Sequence, residues 1–304
     1  MANSTNDARE SLASRILPQM TFSDGSEASM TGPPPPMPHY LTGEGRAVKR
    51  FAIEGNAMLT GGGGTLALTT ARALLEHGAS GLLLCDISFS AQAVQEIRSL
   101  TDDFPSAEVL RIVVDVTDEA SLHRAVEQGT THLGSIDILI CFAGVVACTP
   151  AIDTSPHEWR RTLDINTTGA FLSAQAVARS LIATKTQGSI IFIASISAHK
   201  TNFPQPQAAY NASKAALLSL KGSLAAEWAV HGIRVNSISP GYMDTVLNEG
   251  EGLAEAKRVW FERNPMGRMG QPEEVTGAVM LLCSGAGSYM TGMDLRVDGG
   301  QCCI

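Results

Sequence analysis

The 304-residue chain has no block of basic residues: 22 Lys and Arg stand against 30 Asp and Glu, for a net charge of −8. This balance argues against nucleic acid or an anionic membrane as the main partner, because both are bound through clustered cations. No apolar run approaches the roughly 20 residues that a membrane helix needs. The N-terminal stretch Asn3-Ser4-Thr5-Asn6 is polar and lacks the apolar centre of a secretory signal. Arg9 and Arg15 suggest a targeting peptide but are opposed by Asp7 and Glu10. Of the six cysteines, none has a Cys-x-x-Cys or zinc-type spacing, and Cys85 and Cys141 sit in apolar runs. They read as free thiols of a cytoplasmic protein, with no metal site implied. The closing Gln301-Cys302-Cys303-Ile304 does not fit a prenylation signal, since position 301 is Gln.

What is present divides in two. Residues 1–46 are polar, poor in branched apolar side chains and carry the run Pro33-Pro34-Pro35-Pro36. Such a stretch buries too little apolar surface to offset its ordering entropy, so it is expected to form a flexible arm. Residues 47–304 suffice for one large domain. There, short apolar runs at 57–60, 81–85, 109–114, 136–141, 189–194, 233–239 and 294–297 alternate with amphipathic stretches. Continuous apolar runs suit strands covered on both faces. Thr69–His77 before Gly78 reads as a helix with its stop signal, and Pro272-Glu273-Glu274 as a helix start. The alternation implies an α/β fold: a single Rossmann-like domain with a doubly wound parallel sheet. A less regular region, about 242–265, interrupts the pattern and is the expected substrate lid.

The first strand runs into Thr60-Gly61-Gly62-Gly63-Gly64-Thr65-Leu66-Ala67. Glycines here let the backbone approach a pyrophosphate, and the helix that follows offers free N–H groups and positive potential. Gly62, Gly64 and Ala67 fit the G-x-G-x-x-G/A spacing, while a plain structural turn is the competing reading. Asp86 closes the second strand, where an acid can accept hydrogen bonds from ribose hydroxyls and repel a 2′-phosphate. Cys85 and Ile87 flank it and no base adjoins it, so NAD is favoured, with NADP as the alternative. Asp115-Val116 ends the third strand; it either meets the adenine or forms a surface turn. Cys141-Phe142-Ala143-Gly144 ends the fourth.

The most specific signal is Tyr210-Asn211-Ala212-Ser213-Lys214. Tyr and Lys four apart share one helix face, and a cation beside a phenol is expected to lower its pKa. A phenol so tuned serves as the acid or base that carbonyl reduction requires. Taken with Ser195, Asn166, Pro240-Gly241, Thr245 and Asp298-Gly299-Gly300, these pieces resemble the short-chain dehydrogenase/reductase family across roughly residues 50–304. The narrower resemblance is to fungal sorbose-reductase, mannitol-dehydrogenase and L-xylulose-reductase-like members. It is carried by Asn202–Gln207, Glu227-Trp228, Ile238–Tyr242 and Pro265–Arg268.

The resemblance implies that Tyr210 exchanges a proton with the substrate oxygen while Ser195 polarises that oxygen. Lys214 would hold the nicotinamide ribose, and Asn166 a water linking Lys214 to solvent. Thr60, Gly61, Gly63, Gly64, Leu66, Asp86, Ile87, Asp115, Val116, Cys141, Ala143 and Gly144 would border the cofactor, with Tyr210, Lys214, Pro240, Gly241, Met243 and Thr245 at the nicotinamide end. It also implies a small-molecule ketone or alcohol substrate, either a polyol with its ketose or a natural-product ketone, and a homo-oligomer, dimer or tetramer. The chain departs from the family pattern at Thr65, Ala67, Cys141 and Phe142. Ser195 also lies farther from Tyr210 than in many members, which leaves Ser197 as a rival. These departures keep a second reading open: a cofactor-binding scaffold with little turnover.

Overall fold

The computed structural model describes residues 17–245 and 251–304. Seven strands make one parallel sheet: β1 (Asn56–Thr60), β2 (Gly81–Asp86), β3 (Glu108–Val113), β4 (Ile138–Cys141), β5 (Gly188–Ile193), β6 (Ile233–Pro240) and β7 (Asp294–Val297). Their spatial order is β3-β2-β1-β4-β5-β6-β7. The expected α/β Rossmann-like architecture is thus present, with each strand within about two residues of its sequence boundary.

The unbroken apolar runs have a direct cause. Successive side chains of a strand point to opposite faces, and here both faces are covered. In β2, Leu82 and Leu84 enter one core while Leu83 and Cys85 enter the other; in β5, Ile191 and Ile193 face away from Ile190 and Phe192. One core is roofed by α2 (Thr65–Glu76), α3 (Ala91–Asp103) and α9 (Glu273–Cys283), through residues such as Leu74, Ile97 and Val279. The other is roofed by α4 (Glu119–Leu133), α6 (Gly169–Thr184) and α7 (Ala208–Trp228), through Leu122, Val177 and Leu217. Trp228 belongs to this second core.

The chain leaves β1 towards β2 and β3, then crosses back to set β4 on the other side of β1. Thr60 pairs with both Cys85 and Cys141. At such a reversal the connections diverge and open a crevice above the carboxyl ends of the strands. Gly61, directly after β1, has φ +66°, and a Cβ there would lie 2.6 Å from the Ala143 nitrogen. Only glycine fits this approach of two strand ends.

Three local expectations need correction or completion. The helix expected from Thr69 begins at Thr65, a full turn earlier, so the glycine turn feeds it directly; it ends before Gly78, whose φ is +100°. The region expected to be irregular contains α8 (Ala254–Glu262), which buries Trp260; residues 246–250 lie outside the described residues. Helix α1 (Gly43–Phe51), capped by the Thr42 hydroxyl on the Gly45 N–H at 3.0 Å, spans the expected 46/47 boundary. Ahead of it, residues 17–42 contain no helix or strand, and the Met30 carbonyl accepts a hydrogen bond from Gln187 at 2.6 Å. Residues 1–16 lie outside the described residues.

Because that stretch adds little burial, deleting residues 1–40 should lower the melting temperature by no more than about 3 °C. Calorimetry of the truncated chain checks this, and a larger fall would mean that the arm packs as part of the domain.

Candidate active site

The crevice is a cleft of about 1500 Å³. It begins at the glycine turn. Gly64 is the N-cap of α2 and Thr65 its first residue, both exposed, so the first turn of the helix presents its N–H groups to the cleft. Gly61, Gly63 and Leu66 line the same end, with Asp86 and Ile87 from β2 and Asp115 and Val116 after β3. Asp86 is tied into this wall: its Oδ2 accepts from the Gly63 N–H at 3.0 Å. Asp115 caps its own turn, accepting from the Thr117 N–H at 2.9 Å and hydroxyl at 2.7 Å, while still bordering the cleft.

At the other end, α7 presents Tyr210 and Lys214 one turn apart on its sheet-facing side. Lys214 is only 5 % exposed and donates to the Ile193 carbonyl at the end of β5, at 2.7 Å. Its Nζ lies 5.7 Å from the Tyr210 ring centroid. Burial pushes the ammonium down to about 8, against a weaker upward pull from Cys141. Burial also raises the Tyr210 pKa, partly offset by a hydrogen bond from Ser195. The lowering expected from the neighbouring cation is absent: burial is the largest influence on the phenol.

Ser195 lies two residues past the end of β5 and is itself buried. Its hydroxyl meets Tyr210, donates to Ser197 Oγ at 3.0 Å and accepts from the Ser197 N–H at 3.1 Å. Ser197 also lines the cleft, and its two hydrogen bonds hold the Ser195 hydroxyl. Asn166 sits in a π-helical turn, Asp164–Thr168, between α5 (Pro156–Leu163) and α6. The wider turn aims its carboxamide at the backbone of Val145: Oδ1 accepts at 2.8 Å and Nδ2 donates at 2.9 Å, with a second donation to Ser213 Oγ at 2.9 Å. Gly144 fills the gap between these groups. A Cβ there would lie 3.3 Å from Asn166 Oδ1 and 3.6 Å from Lys214 Nζ.

Ala143, Gly144, Pro240, Gly241, Met243 and Thr245 complete the lining near Tyr210. Thr60 and Cys141 do not line the cleft; both are buried beneath it, and the Cys141 thiol points to the Ala170 carbonyl at 3.9 Å. His199 and Lys200 also turn away. The imidazole lies 2.9 Å from Asp294 Oδ2, and Lys200 donates to the Gln301 carbonyl. The departures are accommodated: Thr65 is exposed, Ala67 packs in the core and Phe142 joins the cleft wall.

Apart from Trp260, which the sequence leaves between lining the pocket and packing a lid and which lines the cleft, the wall beside Tyr210 was not assigned from the sequence. Tyr242 stacks on Trp260 with centroids 4.0 Å apart and planes 9° from parallel. Trp260 Nε1–H donates to Gln205 Oε1 at 3.2 Å, and Gln205 Nε2 donates to the Tyr242 hydroxyl at 2.7 Å. Asn202 Nδ2 donates to the same hydroxyl at 2.9 Å. Gln207 donates to Cys148 Sγ at 3.2 Å, and both line the cleft. The one available signal was the density of carboxamides in Asn202–Gln207, directly before the tyrosine.

In the free protein, loss of the Lys214 proton is expected to weaken capture of the cofactor. kcat/KM for the reduced cofactor should therefore be level near pH 6–7 and fall as pH rises through about 8. A profile level to about pH 10 would remove the buried ammonium from this role.

The chain is similar to known proteins over most of its length. Residues 64–301 match a family model described as enoyl-(acyl carrier protein) reductase. The chain is 39 % identical to a galactitol 2-dehydrogenase of Rhizobium johnstonii over 258 residues, 84 % of this chain and 98 % of the relative. A short-chain type dehydrogenase/reductase from Mycobacterium marinum superposes with a TM-score of 0.78 at 38 % identity, covering 84 % of this chain and 99 % of that one. A gluconate 5-dehydrogenase from Burkholderia cenocepacia, solved with NADP and tartrate, superposes at 0.77 with 34 % identity, covering 85 % and 99 %.

Proposed function

The chain belongs to the short-chain dehydrogenase/reductase family, and from that premise we propose that it interconverts a polyol and its ketose with a nicotinamide cofactor. The observation that carries this reading is the meeting of Ser195, Tyr210 and Lys214 where the nucleotide crevice opens. The carboxamides of Asn202, Gln205 and Gln207 on the adjoining wall suit a substrate bearing several hydroxyls, as does the similarity to a galactitol dehydrogenase.

The cleft fits a dinucleotide. Gly63, Gly64 and the first turn of α2 would hold the pyrophosphate. Asp86, Ile87, Asp115 and Val116 would border the adenosine, and Gly144, Lys214, Gly241 and Thr245 the nicotinamide half. The cofactor, when bound, supplies or accepts hydride. The remaining work falls to side chains. Ser195 turns its single hydroxyl proton from Ser197 Oγ to the substrate oxygen, while the Ser197 N–H continues to hold the Ser195 oxygen. Tyr210 gives its proton to that oxygen during reduction and removes it during oxidation. The raised Tyr210 pKa keeps the phenol protonated, which favours its use as an acid at neutral pH. Lys214, anchored on Ile193, keeps a positive charge beside the phenol as proton density leaves it. Asn166 fixes the Val145 backbone and so the edge of the cleft above Gly144.

Asp86 directs the choice towards NAD(H). Its carboxylate is fixed at the turn by Gly63, where the adenosine ribose would lie, and a 2′-phosphate would meet like charge. The nearest guanidinium on β3, Arg111, lies over the Phe89 ring at 5.4 Å. The gluconate relative was solved with NADP, so family membership does not decide the matter. We also assign the chain to the cytoplasm, on its buried free thiols, and to a homo-oligomer, on exposed apolar residues such as Ile152, Trp159 and Tyr289.

Tyr210→Phe should lower ketose reduction by roughly 10²–10⁴-fold with cofactor affinity nearly unchanged. Steady-state rates and fluorescence titration of the cofactor read the two effects, and activity within a few-fold of the parent would end the assignment. For cofactor choice, kcat/KM is compared with NADH and NADPH. The parent should favour NADH, and Asp86→Ser should shift the ratio towards NADPH by about tenfold or more. A parent that favours NADPH tenfold would overturn the preference while leaving the family intact.

A further inference from the structure

Among the described residues, five buried side-chain oxygens lack a hydrogen-bond partner, and two of them, Asn202 Oδ1 and Gln301 Oε1, belong to residues that line one small void. The void measures about 10 Å³, the size of a single water. Ile196, Lys200, Thr201, Phe203, Tyr242 and Arg263 complete its walls. Gln301 is 3 % exposed, so bulk solvent does not solvate its carboxamide.

The chemistry of the walls selects the occupant. Two carbonyl oxygens call for two donors. The Lys200 ammonium, itself on this wall, is bound to the Gln301 backbone carbonyl and would repel a metal cation. An apolar occupant would leave both oxygens unpaired. A water supplies two O–H groups and fits the volume.

We propose that one ordered water joins Asn202 to Gln301 across this void, and that Gln301 is thereby a positioning residue for the substrate wall of the active site. Gln301 lies in the 301–303 turn, which Asp298 fastens by accepting from the Gly300 N–H at 2.9 Å and the Cys302 N–H at 2.8 Å. Gln301 does not line the main cleft, whereas Asn202 and Tyr242 do. The route from the turn to the substrate is therefore Gln301, the water, Asn202, then the Tyr242 hydroxyl.

The orientation of the neighbouring Gln205 is fixed, because Trp260 can only donate and so selects Gln205 Oε1. Asn202 has no such arbiter. Were its amide reversed, Nδ2 would face the void and the Gln301 oxygen while Oδ1 would accept from Tyr242. The link between Asn202 and Gln301 holds in both orientations.

The test is a cycle of Gln301→Met, Asn202→Ala and the double variant, with Gln301→Glu as the conservative control. Gln301→Met should raise KM for the ketose by about tenfold, with kcat and cofactor KM within about twofold. Gln301→Glu keeps the acceptors beside Lys200 and should return KM to within about twofold of the parent. A residue that merely packs would give Met and Glu the reverse order. If the two side chains share one water, the double variant is no worse than the poorer single variant; losses that multiply overturn the link. Melting temperatures of the same four proteins read the coupling without substrate, so it is decided even if no ketose is turned over. A crystal structure of the parent should show one density peak between the two carboxamides, and an empty void or direct contact would refute the water.

Discussion

An ammonium group buried in the centre of the protein is the constraint around which the site is arranged. Lys214 is 5 % exposed and donates to the carbonyl of Ile193. Burying a charge is costly unless hydrogen bonds replace its hydration. The end of β5 supplies one such partner. Since β5 lies between β4 and β6, this partner is placed by the middle of the sheet rather than by a loop. Ser195 lies two residues past the same strand, so the residue proposed to orient the substrate oxygen and the residue that anchors the cation have one rigid origin.

Other features follow from giving this lysine room. Gly144 leaves space between Lys214 and Asn166, where a Cβ would press on Asn166 Oδ1 at 3.3 Å. The π-helical turn at Asp164–Thr168 lets Asn166 reach back to Val145, which holds the strand end beside Gly144. The helix carrying Lys214 is pinned by the packing of Leu217, Leu224 and Trp228 on the sheet. Burial lowers the Lys214 pKa to about 8 and raises that of Tyr210. Burial is the largest influence on both groups.

The substrate side is built on a different principle. Its wall joins segments distant in the chain, Asn202–Gln207, Tyr242 and Trp260, through carboxamides and one aromatic stack. Polar side chains with both donors and acceptors can meet hydroxyls in several arrangements, whereas the nucleotide end relies on backbone N–H groups and close approach. The proposed cofactor half thus rests on backbone groups and the proposed substrate half on side chains.

The sequence by itself determined the strands, their parallel sense and the pairing of Tyr210 with Lys214 on one helix face. Buried strands must be apolar along their length, a phosphate-facing turn must be glycine-rich, and residues four apart on a helix must share a face. All three are local rules. Tertiary structure alone decided that Cys141 and Thr60 lie beneath the cleft, that His199 turns to Asp294, and that Trp260 is buried against Tyr242. It also decided the Tyr210 pKa, because desolvation depends on every group that surrounds the phenol. The meeting of Asn202 with Gln301 is of the same kind: 99 residues separate them, and only the packing of the 301–303 turn against the loop after β5 brings their carboxamides to one void.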